Sequence, residues 1–102
     1  MGNREFGAER AIGPLRREIE RSLSLALATA HDARLQSLII IDVQPAPDAS
    51  RFGVFIEAPR GSDRAVITAA LEHASGRLRE EIARSLQRKR TPELAFIVEV
   101  AS

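Results

Sequence analysis

Apolar residues recur at helical spacing near the start of the chain. Pro14 suits a first helical position, because no intrahelical bond needs its missing N–H there. The sequence from 14 to 30 then predicts an amphipathic helix, and the residues before it carry two glycines and mixed charges without an apolar period. We therefore expect residues 1–12 to form a flexible tail. The apolar positions of this predicted helix are Leu15, Ile19, Leu23, Ala26, Leu27 and Ala30.

Three later stretches have the composition and spacing of β-strands. The run Leu38-Ile39-Ile40-Ile41 is apolar on both faces, as in a strand inside a covered sheet, and predicts a strand at about 36–43. Residues 44–50 contain two prolines and predict a turn. Period-two alternation follows at about 51–58 and again after Pro92. The alternating apolar positions are Phe52, Val54 and Ile56, and then Leu94, Phe96, Val98 and Val100.

Between the second and third strands, helical spacing returns in two segments. Ser62 is a suitable N-cap for a helix that runs to Ala74, and a further helix is expected from Gly76 to about Lys89. A glycine inside a helix costs about 1 kcal/mol relative to alanine but allows a sharp turn. The Ala-Ser-Gly sequence at 74–76 therefore predicts a helix-kink-helix, in which a Cβ at position 76 is expected to obstruct the turn.

The predicted order is α-β-β-α-α-β, which is an α+β two-layer sandwich with a three-stranded sheet. At 102 residues, the chain has room for one core, so residues 13–102 are expected to form a single domain. No segment reaches the ~20 apolar residues that span a bilayer, and the polar start does not resemble a signal peptide. We expect a cytoplasmic protein.

The residues offer little for catalysis, metal binding or a cofactor. The chain has no cysteine and two histidines, His31 and His73, so a zinc site is not expected. His31 has the position of a residue near a helix C-terminus, where the helix dipole favours it, and Glu72 beside His73 points about 100° away on the helix. No nucleotide-binding glycine loop occurs. The sequence thus favours a protein that is not an enzyme and needs no cofactor.

Positive charge is concentrated after the predicted kink. Backbone N–H groups of Ser75 and Gly76, at the start of the next predicted helix, are expected to favour an anion. The nearby basic residues lie on one flank of that helix and in its exit, and suit phosphates. The alternative is a solvated helix in which Glu80 pairs with Arg84. The basic residues are Arg77, Arg84, Arg88, Lys89 and Arg90.

Several motifs together resemble one family. The segment HASGRLREEIARSLQRKRTPELAF at 73–96, the strand motif at 39–43 and Arg-Thr-Pro-Glu-Leu at 90–94 are similar to those of ribosome-binding factor A. The resemblance implies a type II KH-like fold in which an Ala-x-Gly kink replaces the GXXG loop. It also implies a ribosome assembly factor that binds the immature small (30S) subunit and its 16S rRNA during late maturation and rRNA processing. We expect the protein to be a monomer. The rRNA contacts would then be the seven residues Ser75, Gly76, Arg77, Arg84, Arg88, Lys89 and Arg90.

A second hypothesis belongs to another class. The chain could be a protein-interaction module that acts through strand-edge pairing or homodimerisation without RNA, its arginines serving to solvate the surface. The two hypotheses differ in their salt dependence, because RNA binding that neutralises several phosphates weakens steeply with ionic strength.

Overall fold

The computed structural model describes residues 2–47, 50–86 and 91–102, with side chains from Gly13 onward. This part of the chain contains three helices and a three-stranded sheet, so the predicted α+β architecture is confirmed. The elements are α1 (Gly2–Ala28), α2 (Ala33–Gln36), β1 (Ile39–Pro45), β2 (Arg51–Ala58), α3 (Arg64–Leu86) and β3 (Glu93–Val100). The sheet order is β1-β2-β3, with β1 antiparallel and β3 parallel to β2.

The helices cover one face of the sheet, and the core lies between the two layers. α1 packs on β1, α3 packs on β3, and the two helices pack on each other. The parallel pair β2 and β3 requires a crossover connection, which α3 provides. Alternate residues of the central strand β2 point into this core and are fully buried. They are Phe52, Val54, Ile56 and Ala58.

The first strand differs from its prediction in position and in environment. β1 begins at Ile39, because a short helix, α2, occupies residues 33–36. The side chain of Asp32 caps α2 by accepting a hydrogen bond from the N–H of Arg34 at 2.9 Å. Ile39 and Ile41 are 61% and 51% exposed, so the expectation of a strand covered on both faces is wrong. The physical reason is that this sheet has helices on one side within the described part of the molecule.

The predicted pair of helices after β2 is a single helix. α3 is continuous from Arg64 to Leu86, so the observed order is α-α-β-β-α-β and the kink at 74–76 is not confirmed. A continuous apolar stripe explains the difference, because residues spaced by four, three, four and four stay on one helix face. This stripe consists of Ile67, Leu71, Ala74, Leu78 and Ile82. Residues 87–90, where the further helix was predicted to end, lie outside the described residues.

Gly76 lies on the exposed side of α3. A Cβ built at this position would meet nothing within 4 Å, so the expected steric obstruction is wrong. We predict that Gly76→Ala raises the free energy of unfolding by about 0.5–1 kcal/mol, because alanine loses less backbone entropy in a helix interior. Chemical denaturation followed by circular dichroism measures this change. A loss of stability would contradict the open environment of the position.

At its N-terminus, α1 reaches further than the sequence predicts. The helix begins at Gly2 and contains Pro14 in its interior, whereas a helix from 14 and a tail at 1–12 were predicted. Proline has no backbone N–H and suits a first helical position, so the sequence alone predicts a helix that begins at residue 14. The flexibility of the N-terminal segment and the division at residue 13 stay predictions.

Candidate nucleic-acid interface

The predicted basic cluster lies partly on α3. Arg77 and Arg84 are exposed and seven residues apart, which places them two turns, or about 10 Å, from each other along one side of the helix. Arg88, Lys89 and Arg90 lie outside the described residues, so their place beside these two arginines stays a prediction. α3 thus brings together two of the five predicted cations.

Ser75 and Gly76 do not form a helix start. Both lie inside the continuous α3, where a backbone N–H bonds to the carbonyl four residues earlier. The Ser75 hydroxyl donates to the carbonyl of Glu72 at 2.8 Å. The expected pair of free N–H groups for a phosphate is therefore wrong, because the break that would expose them does not occur. A role of these two residues in RNA binding stays a prediction. In that case the RNA would contact the Ser75 side chain and the exposed surface at Gly76.

The two arginines differ in their electrostatic partners. Arg84 forms an ion pair with Glu81 at 3.1 Å, in place of the predicted pair with Glu80. The Arg84 side chain is 72% exposed, and such surface pairs contribute at most about 1 kcal/mol. Arg77 has no ion-pair partner within the described residues. Both guanidinium groups can therefore engage an external anion at small cost.

A groove of about 640 Å³ runs between the helices, and both arginines line it. α1 and α3 are antiparallel along the groove. At one end, the Ser22 hydroxyl donates to the Ser85 hydroxyl at 2.6 Å. At the other end, His31 and Asp32 lie opposite His73. Arg77 and Arg84 therefore line a groove between two helices and do not lie on an isolated helix face.

Residues of α1 that line this groove were not predicted from the sequence. Ser22, Leu25 and Thr29 follow one another at helical spacing and lie beside the apolar stripe of α1. Leu25 is 65% exposed, although its neighbours on the stripe are buried. Their helical spacing indicates that these residues share one side of α1, but it does not show which side of α1 packs against α3.

Asp32 and Arg34 form an ion pair at the end of the groove where His31 and His73 lie. The Arg34 guanidinium donates to the Asp32 carboxylate at 2.7 and 3.0 Å. This side-chain contact, followed by the hydrogen bond from the Arg34 backbone N–H, lowers the pKa of Asp32 below its ordinary value. The same contact raises the pKa of Arg34. The carboxylate therefore stays ionised into the acidic range.

We predict that the contribution of Asp32 to stability depends on pH. Since its folded-state pKa is lowered, the contribution is present above the unfolded-state pKa and is lost as the pH falls through the folded-state value. Asn is also a good N-cap, so Asp32→Asn removes the charge and keeps the cap. Thermal melts should show a lower Tm for Asp32→Asn at neutral pH and equal Tm values at strongly acidic pH. A constant difference at all pH values would contradict the ion pair with Arg34.

The side chains described in and around the groove suit binding by charge and hydrogen bonds. Among the described residues, no group of three or more His, Cys, Asp or Glu could hold a metal ion. The same part of the chain has no helix with the length and apolar character to cross a bilayer. The exposed arginines and the hydroxyls of α1 and α3 can instead contact phosphate oxygens.

Comparison with known proteins agrees with this architecture. The sequence pattern of the family described as ribosome-binding factor A matches residues 13–101. A ribosome-binding factor A from Ruthia magnifica is 38% identical over 85 residues, which cover 82% of this chain and 75% of that protein. A homologue from Streptococcus thermophilus is 32% identical over 99 residues, covering 95% of this chain and 81% of its own length.

Solved structures give the same result. The crystal structure of ribosome-binding factor A from Thermus thermophilus superposes with a TM-score of 0.76 at 28% identity, covering 84% of this chain and 92% of that one. A homology model of the Thermus thermophilus protein, fitted into a cryo-EM map of a 30S–RbfA complex, superposes with a TM-score of 0.69 at 28% identity, covering 82% of this chain and 90% of that one. The resemblance seen in the sequence motifs is confirmed, and the chain belongs to the ribosome-binding factor A family.

Proposed function

We propose that this protein is a non-enzymatic assembly factor that binds the immature 30S subunit at its 16S rRNA during late maturation and rRNA processing. The observation that carries the proposal is the pair Arg77 and Arg84, both exposed and aligned along the α1–α3 groove of a ribosome-binding factor A fold. Guanidinium groups bind phosphates through planar, paired hydrogen bonds. A homology model of the Thermus thermophilus relative, fitted into a cryo-EM map of a 30S–RbfA complex, supports the same partner.

We expect the arginines to contact the RNA backbone rather than read base identity. Stacking of unpaired bases requires exposed aromatic rings, and of the three phenylalanine side chains that the structure describes, Phe52 is fully buried while Phe55 and Phe96 are half-buried. Contacts to phosphate and sugar position a protein without reading sequence. Recognition would then depend on the shape of the rRNA site, which suits a factor for a folded particle.

The remaining predicted contacts extend this surface along the chain. Arg88, Lys89 and Arg90 follow α3 closely, so they would add positive charge after Arg84. Ser75 and Gly76 would border the RNA on the other side of Arg77. A monomer in the cytoplasm is the form that fits this role.

Gradient sedimentation of a lysate tests the proposal. The protein is expected to migrate with small-subunit precursors, and a deletion strain is expected to accumulate unprocessed 16S rRNA. A protein that remains at the top of the gradient, together with normal rRNA processing in the deletion strain, would contradict it. Raising the salt concentration separates the protein-interaction alternative, because strand-edge pairing lacks the steep salt dependence of phosphate contacts.

A further inference from the structure

The face of the sheet that points away from the helices has no layer on it within the described residues. The odd-numbered residues of β2 and β3 lie on this face, because their even-numbered neighbours point into the core. Register pairs Phe55 with Ile97 and Ile39 with Glu57, and the exposed Ile41 lies next to Asp42, the β1 residue opposite Phe55. We call this surface, centred on Ile39, Ile41, Phe55, Ala95 and Ile97, the open sheet face.

The centre of the open sheet face is unusually apolar for a surface. Five large apolar side chains are exposed in the described part of the chain, and three of them belong to this face. These are Ile39, Ile41 and Ile97, at 61%, 51% and 39% exposure. Contiguous apolar surface with a polar rim is typical of an interaction site. The other two, Leu25 and Val66, lie on helices and not on the sheet.

The rim of the open sheet face is acidic. Arg51 pairs with Glu93 at 3.2 Å, which leaves three carboxylates on the strands without a cationic partner in the described chain. Glu57 and Glu99 are direct neighbours in the register of β2 and β3, where like charges destabilise a sheet. The third is Asp42, opposite Phe55. A cationic partner would relieve this repulsion.

The carboxylates of the open sheet face determine which kind of binding partner fits it. RNA is a polyanion and would be repelled by Glu57 and Glu99, so the open sheet face is the wrong surface for it. A second copy of the same face would bring the carboxylates together, which is also unfavourable. A basic polypeptide fits, because its lysines or arginines can pair with the rim while its apolar side chains cover the centre.

The width of the surface indicates the form of that partner. Three strands spaced about 4.8 Å apart make a strip close to the 10–12 Å diameter of one helix. Packing a helix on the second face of a sheet is a standard way to bury its apolar residues. We propose that the open sheet face docks a basic amphipathic helix of a protein partner, with apolar side chains on Phe55 and Ile97 and cations beside Glu57 and Glu99.

NMR titration of the whole protein with a synthetic helix tests the proposal. The probe has leucines at i, i+3, i+4 and i+7 and lysines elsewhere, and a second probe has glutamates in place of the lysines. The lysine helix is expected to shift the amide resonances of Ile39, Ile41, Phe55 and Ile97, and the glutamate helix is not. The double variant Glu57→Gln with Glu99→Gln should weaken binding about tenfold, since two exposed ion pairs are lost.

The matched control is Glu72→Gln with Glu80→Gln, two exposed carboxylates on α3. It should bind the lysine helix as the unchanged protein does. Equal binding of both helices, shifts confined to the α1–α3 groove, or no binding would overturn the proposal. Shifts of the open sheet face on addition of an RNA duplex, or with protein concentration alone, would also overturn it, in favour of RNA or of a second copy. The rRNA function proposed for Arg77 and Arg84 does not depend on this result.

Discussion

Replacing Phe52 with alanine is expected to lower the free energy of unfolding by about 3–5 kcal/mol. The ring is fully buried on the core face of the central strand, between β1 and β3, and alanine would leave a cavity beneath the helices. A domain of this size has roughly 5–15 kcal/mol of stability in total, so the loss would be a large fraction. Urea denaturation monitored by circular dichroism gives the value.

The control for this experiment is Phe55→Leu, on the same strand but on the open sheet face. Phe55 is only half-buried, so a much smaller loss of stability is expected. If the Phe55 variant is destabilised as strongly as the Phe52 variant, the assignment of the two faces is wrong.

The second large effect concerns RNA binding. Arg77→Glu together with Arg84→Glu is expected to lower the slope of log affinity against log salt by about two and to weaken binding more than about tenfold. Each arginine that contacts a phosphate releases counterions, and reversal of its charge adds repulsion. Both side chains are exposed, so the circular dichroism spectrum should be unchanged. Filter binding of small-subunit rRNA over a range of salt concentrations measures the slope.

The matched control reverses two exposed arginines on α1, Arg16→Glu with Arg17→Glu. Glu18 and Glu20 follow these two arginines, and Glu18 pairs with Arg21 at 3.8 Å, so the local positive field is weaker. We expect a small change in affinity. If this variant loses subunit binding while the α3 variant binds normally, the RNA surface lies on α1.

The spacing of apolar residues along the chain predicts most of the fold. The alternation at β2 and β3 separates a core face from an outer face, and the structure has the same separation. The apolar positions of α1 at Ile19, Leu23 and Leu27 are likewise fully buried or nearly so. These elements could be predicted because each has one buried side, and burial imposes the period of the element on the sequence.

Other features depend on contacts that the local sequence does not carry. A glycine in a helical pattern predicts a break, but buried Leu71 and Leu78 on either side of Gly76 keep α3 on the core. The run at 38–41 contains three β-branched isoleucines whether one face or both are covered, so its exposure depends on which layers surround the sheet. The four-residue α2 is too short to show a period.

The candidate site was predicted only in part for the same reason. Arg77 and Arg84 follow from their spacing on one helix, whereas the groove beside them is made by two helices that are far apart in sequence. The proximity of Ser22 to Ser85, across 63 positions, is a product of packing. The sequence predicts phosphate binding by the backbone N–H groups of Ser75 and Gly76. In our proposal, the side chains of Arg77 and Arg84 bind the phosphates instead.

The irregular pairing of β1 is expected to affect how the protein behaves at high concentration. Between Ile40 and Asp42 the strand contains one residue more than β2 opposite it, and Pro45 cannot donate a hydrogen bond from its nitrogen. A regular outer edge with three consecutive isoleucines would be a template for addition of strands from other chains, as in amyloid growth. The extra residue twists this edge and interrupts its ladder. We therefore expect the bulge and the proline together to hinder the addition of strands from other chains at this run of three isoleucines.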